Sequence, residues 1–367
     1  MNPRNELAST WMKRGIALLE ENTVPSLNQA IGCFDKAIEL RSALPLDAHH
    51  RFRYGLAAGW MNRGDALTRL GSSNHYAEAL RSYDEALKYL CFLPLDEDPF
   101  FRKRMAVAWM NRGVTLLAQG SDFSEAERSF RQSIVFLEHA QATALADRSQ
   151  LLGCAWMNVA NALLQHAQPQ LISARESAKT ALKYLADVEN VDAVSAEAGL
   201  KARHLLCQAI VRILAGQSHH SSSAKESLIE AMDAVDDGLK LAREWELRNV
   251  DRFRSLTTEL FSFGVRAYQM CQPQFLAEFI SESVDPQMSP GANATRKMHV
   301  EALGALWREL RESQKKGFGK PNEEFPQWMQ KLSELSSVER RLTENTKQAS
   351  KPAFPSQPSQ KTSACEC

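Results

Sequence analysis

Hydrophobic and small residues recur along the first half of the chain at the spacing of a helix face. In the segment 59–68, Trp60, Gly64 and Leu67 stand at positions i, i+4 and i+7. The segment 79–87 has the same spacing of apolar and small residues. Such a stripe is typical of an amphipathic helix that packs with one face. The pattern therefore predicts two helices in succession.

This helix pair recurs along the chain. Four segments align on a tryptophan, and the tryptophans stand 49, 49 and 47 residues apart. A second set of segments, rich in alanine, follows at the same interval. The first set is TWMKRGIALL (10–19), GWMNRGDALT (59–68), AWMNRGVTLL (108–117) and AWMNVANALL (155–164), and the second is AIGCFDKAI (30–38), ALRSYDEAL (79–87), AERSFRQSI (126–134) and ARESAKTAL (174–182). Self-similarity at a fixed period is the sequence signature of a repeat architecture.

A small residue follows each repeat tryptophan by four positions. These residues are Gly15, Gly64, Gly113 and Ala160. Glycine in a helix interior costs about 1 kcal/mol relative to alanine, so its recurrence at one phase indicates a packing requirement. We expect the second helix of each pair to approach the first closely at this position. The tryptophans lie on the same stripe, and we expect them in the core.

Both helix patterns resemble the tetratricopeptide repeat, whose first helix carries W-x₂-L-G-x₂-Y/L and whose second carries A-x₃-F/Y-x₂-A. The match covers residues 9 to about 186. The usual period of that family is about 34 residues, so this chain is similar to its long-repeat members, such as those in kinesin light chains. We expect residues 49–58 and 100–107 to extend the first helices, with Asp47 and Asp96 available as N-caps.

The resemblance implies an all-α fold, a right-handed superhelical solenoid of antiparallel helix pairs with a C-terminal helical cap. We expect four helix pairs in residues 1–190 and degenerate pairs in 191–285. Helical patterns in 286–343 predict the cap, because terminal helices usually cover the exposed end of such an array. Residues 344–367 have the composition of a disordered tail.

In such a superhelix the first helices line the concave groove. Asn62 lies about 200° from Trp60 on the helical wheel and therefore faces this groove, and Asn111 and Asn158 hold the same phase in the next repeats. An amide carries a donor and an acceptor that match a peptide unit. The resemblance implies that these residues hold an extended chain, because peptide-binding members of the family use asparagine here. The alternative is that the amides bond their own scaffold or water.

Charged residues share the predicted groove face. Lys13, Arg51 and Arg104 indicate an acidic segment or a terminal carboxylate as the guest, although Asp65 makes the face mixed in sign. The full set of candidate groove residues is Lys13, Arg51, Asn62, Asp65, Arg69, Arg104, Asn111, Asn158 and Asn161. The family members that clamp chaperone tails need further cations at positions that are here Ser9, Ala58, Val107 and Cys154. We therefore do not expect chaperone-tail binding.

Three arginines, Arg14, Arg63 and Arg112, stand beside the asparagine positions. We expect them to be structural and to pair with acids on the following helix, such as Asp35 or Asp84. Exposed pairs of this kind contribute only about 0–1 kcal/mol.

The composition argues against several classes of function. The chain has 44 basic and 44 acidic residues, so no global field attracts nucleic acid or anionic lipid. Nucleophile motifs, phosphate-binding loops and zinc-ligand spacing are missing from the sequence, so we expect no enzyme activity, cofactor or metal. Five of the seven cysteines lie far apart in segments with helical patterns, which indicates reduced, mostly buried thiols. With no signal peptide and no apolar run long enough for a membrane span, we expect a cytoplasmic protein.

The leading hypothesis is a non-catalytic adaptor that binds a peptide segment or partner protein in the groove. The alternative function is nucleic-acid or anionic-surface binding through basic clusters on the helix extensions. Those clusters consist of Arg51, Arg53, Arg102, Lys103 and Arg104. We expect a protein or peptide partner ahead of nucleic acid, and we expect no membrane partner.

Overall fold

A computed structural model describes residues 2–139, 147–188, 191–216 and 222–245, with parts of 256–267. The described residues contain helices and turns but no strand. The helices are α1 (Pro3–Glu21), α2 (Val24–Ser42), α3 (His50–Leu70), α4 (Ser73–Leu90), α5 (Pro99–Gln119), α6 (Phe123–Glu138), α7 (Arg148–Gln165), α8 (Leu171–Ala186), α9 (Ala193–Ala215) and α10 (Ser222–Trp245). The predicted all-α class is therefore confirmed for the described residues.

The described chain divides into two compact units. The first contains the described residues up to 170 together with 183–188, and the second contains 171–182 and the described residues after 188. The predicted cap in 286–343 and the predicted tail in 344–367 lie outside the described residues.

In the first unit, every helix from α1 to α6 packs against the next helix in the chain. The odd-numbered helices also contact one another in order, α1 with α3, α3 with α5 and α5 with α7. In the second unit, α9 packs against α10. Consecutive helix pairs packed on each other are the arrangement that the period predicted.

The first helices are extended as predicted, because α3 and α5 include residues 50–58 and 100–107. Both helices end at a glycine in the left-handed region, Gly71 with φ 70° and Gly120 with φ 72°. The N–H group of each glycine donates to a carbonyl of the last helical turn. Glycine adopts this conformation without steric cost, so it ends the helix sharply.

The predicted N-caps are wrong. Asp98 caps α5, and its carboxylate accepts a hydrogen bond from the Phe100 N–H at 2.9 Å, whereas α3 begins after a histidine whose side chain makes no capping bond. Asp47 and Asp96 instead lie two residues before the N-cap positions, and each bonds the arginine six residues ahead. These loop aspartates therefore hold the chain against the start of the next helix.

In the first three helix pairs, the glycine four residues after the tryptophan is a point of close approach between the two helices. A Cβ built on these glycines would lie 2.5–2.8 Å from a ring carbon of the second helix, closer than real Cβ atoms come. The pairs are Gly15 with Phe34, Gly64 with Tyr83 and Gly113 with Phe130. The predicted packing requirement is confirmed, and its cause is an aromatic ring that occupies the space of a side chain.

The repeat tryptophans are only partly buried, so their predicted place in the core is wrong in part. In the first three helix pairs the fully buried aromatic residue belongs to the second helix, and Phe34, Tyr83 and Phe130 are at most 1% exposed. Each tryptophan of the first three repeats is covered from outside by the arginine three residues later, at 5.6–5.9 Å from the ring centroid. This distance is typical of a cation–π contact.

A buried hydroxyl contact joins two neighbouring helix pairs. The Oγ1 atoms of Thr68 on α3 and Thr115 on α5 lie 2.8 Å apart, and the buried Tyr83 side chain lies beside both threonines. Burial raises the pKa of Tyr83 far above its usual range. The phenol therefore stays neutral at physiological pH.

The described cysteines form no disulfide with one another. Cys33 and Cys207 are buried as predicted, and burial raises the pKa of both thiols, whereas Cys91 is exposed. No described helix combines the length and the apolar character needed to cross a membrane.

Candidate binding surface

The three asparagines predicted to form a ladder lie on α3, α5 and α7, the helices that contact one another in order. Asn62, Asn111 and Asn158 are all partly exposed. Among the described residues, none of their side-chain amides takes part in a hydrogen bond, and the same holds for Asn161 one turn along α7. The backbone carbonyl of Asn111 accepts a bond from Thr115 at 2.9 Å. The amide groups are therefore available to a ligand.

Asp65 and Arg69, both predicted as groove residues, pair with each other. The Arg69 Nη2 atom lies 3.0 Å from Asp65 Oδ2, and its Nη1 donates to the Leu19 carbonyl oxygen at 3.1 Å. That carbonyl belongs to the last turn of α1, whose C-terminal end carries partial negative charge. Arg69 therefore ties α3 to α1, and these two residues have a structural role within the unit.

Arg104, a further predicted groove residue, lies over aromatic rings. Its guanidinium carbon is 4.9 Å from the Phe100 ring centroid and 6.0 Å from that of Tyr54. The Tyr54 ring meets the Phe100 ring edge to face at 5.1 Å. The side chain thus covers the contact between α3 and α5, and sequence reasoning missed this aromatic environment.

The basic clusters of the alternative function are largely neutralised within the fold. Arg53 and Arg102 bond the loop aspartates described above, and the Lys103 Nζ atom lies 2.5 Å from Asp147. Arg51 is exposed and has neither an ionic nor a hydrogen-bonding partner in the part of the chain that the structure describes. Phosphate binding depends on several cations free to contact the backbone, so this pairing disfavours a nucleic-acid surface here.

Arg63 on α3 links the helices before and after its own. Its Nε donates to Asp35 on α2 at 2.8 Å, and its Nη2 donates to Glu78 on α4 at 3.1 Å. The arginine does pair with acids, but the prediction that Asp35 would stand on the helix that follows its arginine is wrong, because Asp35 lies on α2, the helix before α3. The arginine therefore joins two neighbouring helix pairs.

Arg112 repeats this arrangement 49 residues later. Its Nε donates to Asp84 on α4 and its Nη1 donates to Glu125 on α6, both at 2.8 Å. Burial lowers the pKa of Arg112, but hydrogen bonds and charge from the two carboxylates more than offset burial and raise it overall. We call Arg63 and Arg112 the arginine clasps. Arg14, at the equivalent place in α1, has no carboxylate partner among the described residues.

A pocket between α1, α2 and α3 brings together Lys13 and Arg51, two of the predicted groove cations. Its base contains a third cation, Arg41 of α2, which sequence reasoning missed. A signal for this residue exists in the repeat. At the phase of Arg41 the other helix pairs have buried leucines, which are Leu90, Leu137 and Leu185. A cation at a position that is buried and apolar in the other repeats departs from the repeat pattern, and such a departure indicates a specific role.

The described residues contain no cluster of three or more histidine, cysteine, aspartate or glutamate side chains that could hold a metal ion. No protein-family model matches the chain, and no curated protein matches it.

Proposed function

We propose that this protein is a non-catalytic cytoplasmic adaptor that binds an extended peptide segment of a partner protein along its odd-numbered helices. The observation that carries the proposal is the row of partly exposed, unbonded amides at Asn62, Asn111 and Asn158. An unbonded amide on a protein surface offers a donor and an acceptor to the backbone of a bound chain. Such contacts do not depend on the side chains of the bound chain.

The resemblance to the tetratricopeptide repeat supports the proposal. In that family stacked helix pairs form a right-handed superhelix whose first helices line a concave groove. Here we propose that α1, α3, α5 and α7 line the corresponding groove. The ionic pairing of Asp65 and Arg69 and the aromatic contacts of Arg104 reduce the number of fixed charges offered to a guest. A chain held mainly through its backbone fits such a surface.

A display library of extended peptides, screened against the full chain, tests the proposal. We expect the double variant Asn62→Ala with Asn111→Ala to bind the selected peptides about tenfold more weakly or worse, because two hydrogen-bonding groups are lost. The matched control is Asn28→Ala with Asn74→Ala, which removes two exposed asparagines from even-numbered helices.

The control should bind like the parent chain. Equal affinities for both double variants would exclude the asparagine row as a binding surface. The measurement is peptide affinity by fluorescence anisotropy, accompanied by circular dichroism to show that both variants remain folded. Because backbone hydrogen bonds depend little on ionic strength, affinity should fall only modestly as salt rises, whereas phosphate binding would collapse.

A further inference from the structure

The pocket between α1, α2 and α3 has an unbalanced charge. Three lining side chains are cationic, Lys13, Arg41 and Arg51, and no lining residue is acidic. The rest of the lining includes the hydroxyl of Ser9 and apolar groups such as Ile16. A cleft lined by charges of one sign concentrates ligands of the opposite sign. The pocket therefore selects an anionic group.

Arg41 is a fixed cation at the base of this pocket. The residue is only 6% exposed. Its Nη1 donates to the Gly55 carbonyl oxygen at 2.7 Å, and its Nη2 donates to Ser9 Oγ at 3.2 Å. The Ser9 hydroxyl donates in turn to the Asn5 carbonyl oxygen at 2.8 Å, which leaves its lone pairs facing the arginine. The guanidinium is thereby oriented before any ligand arrives, and a preorganised group loses little entropy on binding.

The Arg41 side chain, which belongs to the first repeat, fits because the second repeat has a glycine, Gly55, next to it. A Cβ on Gly55 would lie 3.0 Å from the Arg41 Cζ and Nε atoms, so glycine is needed for this close approach. One period later, Arg104 stands at the phase of Gly55 and Leu90 at the phase of Arg41. The glycine and the buried cation are therefore a matched pair that the next repeat does not contain.

Lys13 and Arg51 form the rim of the pocket. Both side chains are exposed, and neither has an ionic partner among the described residues. The neighbouring cations Arg53 and Lys103 are by contrast paired with aspartates. The two rim cations are therefore free to form charge-assisted hydrogen bonds with a ligand.

We propose that this pocket binds neighbouring aspartate or glutamate side chains in the partner segment. Carboxylates match the bidentate geometry of guanidinium groups. Three lining cations exceed the single charge of a terminal carboxylate, whereas adjacent acidic side chains balance them. The inference rests on the proposed function, since the acidic part of the segment would enter the pocket while its remainder continues along the asparagine row.

The test uses a fluorescein-labelled peptide, N-acetylated and C-amidated, with consecutive glutamates flanked by leucines. A second peptide replaces the glutamates by glutamines. We expect the full chain to bind the glutamate peptide about tenfold or more tightly than the glutamine peptide at low salt, measured by fluorescence anisotropy. Equal binding of the two peptides, or no binding of the glutamate peptide, would overturn the proposal.

Two variants locate the site. Lys13→Gln with Arg51→Gln removes both rim charges and should weaken binding of the glutamate peptide by about tenfold or more. Arg81→Gln with Lys183→Gln removes two exposed cations elsewhere and changes the net charge equally, so it should bind like the parent chain. If the two double variants weaken binding alike, the effect is one of general charge and the pocket is not the site.

Arg41→Leu separates binding from folding. Leucine is the residue that the other helix pairs use at this phase, and it removes the cost of taking the Arg41 charge out of water. We expect an unchanged or higher unfolding midpoint together with about tenfold weaker binding of the glutamate peptide. Retained affinity in a folded Arg41→Leu chain would contradict the role of Arg41.

The outcomes distinguish this inference from the proposed function. If the glutamate preference depends on Lys13 and Arg51 but the Asn62→Ala, Asn111→Ala variant binds normally, the pocket stands and the asparagine row fails. The reverse result leaves the asparagine row and removes the pocket. A glutamine peptide with a free C-terminal carboxylate that binds as well as the glutamate peptide would assign the pocket to a chain terminus. A phosphoserine peptide bound about tenfold more tightly than the glutamate peptide would assign it to phosphate.

Discussion

The Tyr83 ring lies in the space that a side chain on Gly64 would occupy. A Cβ on Gly64 would be 2.8 Å from the Cζ atom of Tyr83, which is fully buried. Little space is left for the ring to withdraw, because Tyr83 is only 1% exposed. The distance between α3 and α4 is therefore set by the Tyr83 ring, which packs directly against the backbone of Gly64.

We expect Gly64→Ala to destabilise the protein by about 1–3 kcal/mol, because the added methyl group overpacks a closed contact. Alanine favours a helix by about 1 kcal/mol, which only partly offsets this cost. Gly32→Ala is the matched control, since a Cβ there meets no atom within 4 Å, and it should stabilise slightly. The free energy of unfolding in urea checks both, and an equal effect of the two substitutions would refute the packing account.

Truncation of the two aromatic residues of one helix pair should have unequal effects. Phe130→Ala removes a fully buried ring and should cost about 3–5 kcal/mol. Trp109→Ala should cost less, because the indole is only partly buried and its loss leaves no enclosed cavity. Denaturant midpoints measure the difference. A larger loss for Trp109→Ala would place the indole, and not the phenyl ring, at the centre of the packing.

The arginine clasps should contribute more to stability than the arginine of the first repeat. Arg112→Ala leaves the carboxylates of Asp84 and Glu125 without their shared donor, and we expect a loss of about 1.5–3 kcal/mol. Arg14→Ala removes only a contact with the Trp11 ring and should cost less than about 1 kcal/mol. Unfolding curves of the two variants decide this point, and indistinguishable midpoints would show that the clasps are energetically neutral.

The stability of the second unit should depend on the protonation of His204. Burial lowers the pKa of His204 from 6.5, although the charge of Glu259, at 3.3 Å, acts to raise it. The folded state therefore binds this proton less tightly than the unfolded state, so stability falls as pH drops below about 6.5.

The loss is at most about 1.4 kcal/mol for each pH unit between the folded and unfolded pKa values. His204→Gln should remove this part of the pH dependence, and His50→Gln, at an exposed position, should not. Urea unfolding at pH 7.5 and pH 5.5 provides the comparison. A parent chain and a His204→Gln variant with the same pH dependence would contradict the assignment.

The helix pairs and their close contacts could be predicted from the sequence. The packing within a helix pair depends on residues that stand a few positions apart in the sequence. A pattern of this kind is weak evidence in one repeat, but it becomes strong evidence when several repeats share it. Gly113 could be assigned to a tight helix contact because Gly15 and Gly64 stand at the same phase. The helix extensions before Trp60 and Trp109 could be predicted because their prolines mark the preceding turn.

The partners of individual side chains could not be predicted in the same way. Asp96 and Asp98 are both suitable N-caps, and only the path of the loop decides that Asp98 holds this place. The repeat alignment reveals that Arg41 is a charged residue at a position where the other repeats have a buried leucine. The role of Arg41 depends on its contacts with Ser9 and Gly55. These residues belong to two other helices, and only the folded structure brings them next to Arg41.

The arginine clasps have a consequence for how the first unit melts. Each clasp belongs to one hairpin but bonds the hairpin before it as well as its own second helix. In a linear array, cooperativity arises from such nearest-neighbour coupling. Fraying that starts at one end must therefore break ionic contacts of the next hairpin before it can spread. The hairpins should unfold in concert and keep the odd-numbered helices in register until the transition.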